Sequence, residues 1–133
     1  MPKTVKATDM AVVLEEILDE YGDNINLAMK EMIKKEGKEG AKTLRTTSPK
    51  RSGKYQKGWT STTQMESSAK IQVVIHNKNA YQLAHLLEFG HAKVTRGGRT
   101  IGRTDAIPHI KKVEDEVSRR LENEIEEIIR RGV

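Results

Sequence analysis

The apolar residues of this chain change their period twice, and that limits the fold more than any other feature. Leu14, Ile17, Leu18, Tyr21, Ile25, Ala28, Met29, Met32 and Ile33 recur at three- and four-residue steps. This is the spacing of one face of a helix with about 3.6 residues per turn. It predicts a long amphipathic helix over residues 10 to 45, with Thr8 or Asp9 able to accept the free N–H groups of its first turn. Gly37 and Gly40 weaken its later part, each by about 1 kcal/mol relative to alanine, while Ala41 and Leu44 extend the stripe. Ser48-Pro49 ends it, because proline disfavours helical backbone in the residue before it.

Beyond that break the period falls to two. Tyr55, Lys57, Trp59, Ser61, Thr63 and Met65 alternate with more polar residues, and Ile71, Val73 and Ile75 alternate after a Ser67-Ser68 turn. Together they predict a β-hairpin with one apolar face, closed by Asn77-Lys78-Asn79. Tyr81 to Phe89 reads as a short helix stopped by Gly90. Thr95 to Thr104 is rich in glycine and arginine and fits a flexible loop or the tip of a second hairpin. Pro108 opens a last helix with the stripe Ile110, Val113, Val117, Leu121, Ile125 and Ile128, since proline suits the first helical position. The expected fold is α+β, one domain over residues 1 to 133. A long N-terminal and a C-terminal helix pack on a small antiparallel sheet, with a short helix between hairpins. Residues 1–9 are expected to be a flexible terminus and residues 95–104 a mobile loop.

The core must be lean, because 35% of the 133 residues are hydrophobic and 32% are charged. A lean core favours further burial against copies of the chain or other partners. The net charge of +5 is unevenly spread. Lys42 to Lys57 holds six basic residues and no acid, and Lys93 to Lys112 holds six opposed only by Asp105. Val113 to Glu127 reverses the sign, with seven acids against Arg119 and Arg120. Such a dipolar chain suits nucleic acid, or its own copies joined basic surface to acidic surface. With no cysteine there is no disulfide or thiolate chemistry. No apolar run is long enough to predict a membrane span or a secretory leader.

Catalytic patterns are sparse. His85, Glu88 and His91 form the best cluster, but the histidines stand six positions apart with Gly90 between them, unlike the His-Glu-x-x-His of zinc proteases. His109 beside Lys111 and Lys112 reads as helix-start surface. Gly97-Gly98 lacks the strand, lysine and hydroxyl residue of a phosphate-binding loop. The acids of the last helix read as a solvated face. No catalytic residue, cofactor or metal is expected. A small nucleic-acid-binding module remains the alternative, since Tyr55 and Trp59 lie among Lys50, Arg51, Lys54 and Lys57 and could add stacking to phosphate contacts.

Three stretches carry a family resemblance. They are Thr47-Ser-Pro-Lys-Arg-Ser-Gly-Lys-Tyr-Gln-Lys-Gly-Trp59, then Asn77 to Tyr81 with Leu87-Glu-Phe-Gly-His91, then Ile107-Pro-His-Ile-Lys-Lys112. In this order they resemble the neck or tail-component proteins of long-tailed phages, typified by the lambdoid Hong Kong phages. Ser52, Tyr55, His91 and the lack of phenylalanine after Pro108 depart from the pattern. The resemblance implies a phage or prophage virion assembly protein, made in the host cytoplasm, forming a homo-oligomeric ring at the head–tail neck or tail terminus beside other neck and tail proteins. It implies that Gly53 and Gly90 shape the backbone, that Glu88 is a fixed polar anchor, and that Trp59 and Phe89 are core. Tyr81 and Pro108 complete the motif. Lys50, Arg51, Lys54, Arg96, Arg99 and Arg103 would face partners, or DNA without sequence preference.

Overall fold

The computed structural model describes residues 5–7, 11–18, 22–49 and 53–132. Two short strands, β1 (Val5–Ala7) and β2 (Ala11–Ile17), precede the long helix α1 (Asp23–Thr47). A single turn, α2 (Lys54–Lys57), leads into the hairpin β3 (Trp59–Glu66) and β4 (Lys70–Asn77). Then come α3 (Tyr81–Phe89), the hairpin β5 (Ala92–Val94) and β6 (Thr100–Arg103), and the last helix α4 (Ile110–Arg131). The first four strands form one antiparallel sheet in the order β1-β2-β4-β3, and β5-β6 form a separate ribbon. The α+β class with both long helices on an antiparallel sheet agrees with the sequence.

The long helix starts later than its apolar spacing predicts. Residues 11 to 17 are strand, pairing Val12 with Ile75 and Leu14 with Val73. Leu14, Ile17 and Leu18 satisfy a helical spacing, but Val12 and Val13 are branched at Cβ and favour extended backbone. The strand buries Val12 and Leu14 completely and leaves Ile17 exposed. Within residues 1–9, Val5–Ala7 form a strand whose Val5 is fully buried. Thr8 and Asp9 lie outside the described residues.

Helix α1 crosses the sheet over β4 at two glycines. A Cβ on Gly37 would stand 2.6 Å from Val73 Cγ1, and one on Gly40 would stand 2.5 Å from Ile75 Cδ1. The pair that weakens the helix locally therefore lets it approach the sheet, burying Met29, Ile33, Ala41 and Leu44. The stripe of α4 is buried as its period predicts, from Ile110 through Ile128. Glu114 fastens this helix to the sheet edge, accepting the Ala7 backbone N–H at 2.6 Å.

Two further boundaries differ from the sequence reading. Tyr55 and Lys57 belong to the one-turn helix α2, and the strand begins only at Trp59. Gly53 makes this possible by taking a left-handed conformation at φ 87°. Pro108 lies ahead of α4, whose first residue is Ile110, for a reason found in the side chain of Glu88.

Candidate interaction surface

Glu88 sits on the inner face of α3, 5% exposed. Its Oε1 accepts the backbone N–H groups of His109 at 2.7 Å and Ile110 at 2.8 Å, and its Oε2 accepts that of Lys111 at 3.0 Å. These donors have no partner within a helix, so a carboxylate from another element caps α4. That cap, rather than proline at the first helical position, fixes where α4 begins.

The same junction holds a buried polar network. His109 Nδ1 faces two acceptors, the Ile107 carbonyl at 2.7 Å and Glu88 Oε1 at 3.0 Å, so it carries the hydrogen. The Tyr55 hydroxyl then donates to His109 Nε2 at 2.6 Å. Burial, and secondarily the charge of Glu88, push the Tyr55 phenol well above its ordinary range, so it stays a donor. Asn77 donates to the Tyr55 carbonyl and accepts the N–H groups of Asn79 and Ala80. Trp59 closes the cluster edge-on to Tyr55 and His109, with ring centroids 5.6 and 6.3 Å away. Five elements (α2, β3, β4, α3 and the start of α4) thus meet at one point.

From that point the β5–β6 ribbon projects. Gly90 turns the chain at φ 73°, where a Cβ would stand 2.5 Å from the Thr104 carbonyl oxygen. Thr104 N–H donates to the His91 carbonyl, and Ile107 N–H to that of Leu87, so the base is pinned to α3. Every residue of both strands is exposed. Of the two readings of the Gly/Arg segment, a flexible loop or the tip of a second hairpin, it takes the hairpin. Thr100–Arg103 pair with Ala92–Val94, and Thr95 to Arg99 make the turn.

The predicted residues fall into separate places. Arg96, Arg99 and Arg103 are exposed on the ribbon, and Lys54 is exposed at the start of α2. Lys50 and Arg51 lie outside the described residues. Trp59 is buried, but Phe89, expected in the core, is 52% exposed and packs beside His85, because it occupies the outer face of α3. Tyr81 is likewise 52% exposed. His85, Glu88 and His91 do not converge. Glu88 turns in to α4, whereas His91 Nδ1 meets the Thr104 hydroxyl at 3.1 Å. No group of three or more histidine, aspartate or glutamate side chains among the described residues could hold a metal ion. Tyr55 and Trp59 are 4% and 1% exposed, which closes the route to base stacking. Sequence reasoning missed the Tyr55–His109 pair, and no local pattern marks it.

A second polar cluster joins α1 to α4. Arg120 Nε donates to the buried Glu36 at 2.9 Å and also pairs with Glu116. A hydrogen bond with Glu36, then burial, then the Glu36 charge push the Glu124 carboxyl up to about 7, against the pull of Lys35 and Arg120. A carboxyl raised in the fold adds stability that is complete below its unfolded value of 4.5 and is lost as pH rises through about 7. The Glu124 side chain is 32% exposed, so solvent screens the pair and about 1 kcal/mol is at stake. Urea unfolding of the wild-type chain and Glu124→Gln should diverge by that amount between pH 5 and pH 8, the wild type losing more. Parallel curves would remove the shared proton from the account.

The α+β body thus carries an exposed basic ribbon whose base is fixed by buried polar groups. A family model described as "Bacteriophage HK97-gp10, putative tail-component" matches residues 13–90. The match covers more than half of the chain, from β2 through α3, and the chain belongs to this family of phage tail components. It ends where the ribbon begins. No curated protein and no solved structure matches the chain. No helix among the described residues is long and apolar enough to cross a membrane.

Proposed function

We propose that this chain, acting as one domain over residues 1 to 133, is a non-catalytic virion assembly protein of a tailed phage or prophage. It forms a homo-oligomeric ring at the head–tail neck or tail terminus, is made in the host cytoplasm and resides in the virion. The observation that carries this reading is the ribbon, a rigidly based but fully exposed element with Arg96, Arg99 and Arg103. Membership of a tail-component family supports it. Neighbouring neck and tail proteins are its partners, with DNA touched through phosphates alone. An isolated two-stranded ribbon is marginal in water, so residues 95 to 104 are mobile in the free protein and ordered by a partner.

Light scattering over a concentration series should give masses well above 15.0 kDa, alone or with neighbouring virion proteins. A strict monomer in every mixture would falsify the ring. Changing Arg96, Arg99 and Arg103 together to serine should leave thermal unfolding nearly unchanged, since exposed charges contribute little to folding. The same change should impair the joining of heads to tails in a phage complementation assay. Normal folding with full titres would reduce the ribbon to a connector.

A further inference from the structure

The ribbon displays more than charge. Val94 is 60% exposed and Ile101 64%, beside the exposed Phe89 and Ile107 at its base. Lys93, Arg96, Arg99 and Arg103 supply four positive charges with no acid between residues 92 and 104. A nucleic-acid backbone satisfies the charges but offers nothing to large aliphatic side chains. A surface that is both acidic and apolar satisfies both.

The chain carries such a surface itself. From Leu121 to Ile129, α4 has Glu122, Glu124, Glu126 and Glu127 and no basic residue. Glu122 and Glu126 are exposed, and Ile129 is 38% exposed among them. On the other flank of this stretch an open groove of about 270 Å³ runs between α1 and α4, where Ala28, Met32 and Ile128 lie beside both acids and the basic Lys35 and Arg131.

We propose that the β5–β6 ribbon is an intersubunit arm, seating Val94 and Ile101 of one copy against the acidic Leu121–Ile129 stretch of α4 in the next copy. The arm leaves the body beside the start of α4, and the acidic stretch lies in the second half of that helix, which is about 33 Å long. Donor and acceptor surfaces are therefore different. The contact is heterologous and generates a ring when its rotation closes. This inference rests on the self-association proposed above and names the surfaces that carry it.

The test is a charge exchange read by analytical ultracentrifugation. The arm variant carries Arg96→Glu, Arg99→Glu and Arg103→Glu, and the helix variant Glu122→Lys and Glu126→Lys. All five residues are exposed, so far-UV circular dichroism and urea unfolding should match the wild type. Each variant should weaken self-association by about tenfold or more, and the chain carrying both sets should recover to within about threefold of wild type. Ile101→Ser should also weaken it, with no effect on charge. If the combined chain associates no better than either parent, the contact is wrong. If the wild type assembles and neither variant weakens it, the arm is not the subunit contact although the ring reading stands. If the arm variant loses affinity for duplex DNA and nothing else, the arm reads nucleic acid and the proposal falls. A wild-type chain that stays monomeric alone and in every partner mixture removes the ring and the arm contact together.

Discussion

Glu88→Ala should lower the stability of the protein by about 3 kcal/mol or more, because it strands two buried backbone donors and a third that is part-buried. The N–H groups of His109, Ile110 and Lys111 share this single carboxylate. An α4 that cannot start at Ile110 also loses the anchor of the ribbon, whose Ile107 N–H is tied to α3 two residues before His109. Glu88→Gln keeps one carbonyl oxygen for two of the donors but turns an amide toward the third, so an intermediate loss is expected. Urea denaturation measures the total. Hydrogen exchange at residues 109 to 111 reports the cap itself. A loss under about 1 kcal/mol in the alanine variant would mean that something else holds the start of α4.

The second large effect belongs to Trp59, the largest fully buried side chain, at 1% exposure. Trp59→Ala should cost about 3–5 kcal/mol, through lost burial and the cavity left behind. Trp59→Phe separates packing from polarity. The indole Nε1 is buried with no hydrogen-bond partner among the described residues, so phenylalanine loses ring area while relieving an unmatched donor. Its penalty should be well under half that of alanine. The chain has one tryptophan, so unfolding must be followed by circular dichroism rather than indole fluorescence. Equal losses in the two variants would show that the indole is held for more than its bulk.

Where burial follows chain periodicity, the fold was readable in the residues. β4 buries Ile71, Val73 and Ile75, and α4 buries its whole stripe, because in both the apolar period equals that of the backbone. The misreading at residues 11 to 17 has a physical cause. Leu14, Ile17 and Leu18 fit two periods, and the partner that decides between them, β4, lies far along the chain. Gly37 and Gly40 show the same limit, since a propensity scale sees two weak helix residues and only the folded sheet reveals the close approach. The resemblance implies that Phe89 is core, yet α3 turns it outward. The three donors that Glu88 caps could not be located from the residues around it, because they belong to another element.

The order in which strands are made is not the order in which they pair. Leu14 leaves the ribosome early and finds its partner Val73 only after α1 and β3 have followed. Ala7 finds Glu114 later still. Pairings so distant in sequence slow folding, because the chain between them must be ordered first. The junction beneath the arm is also tied off late, since Glu88 has no donors to hold until residues 109 to 111 exist. A chain interrupted before α4 therefore has an arm tied to α3 alone, and its orientation relative to the rest of the body becomes a property of the finished copy.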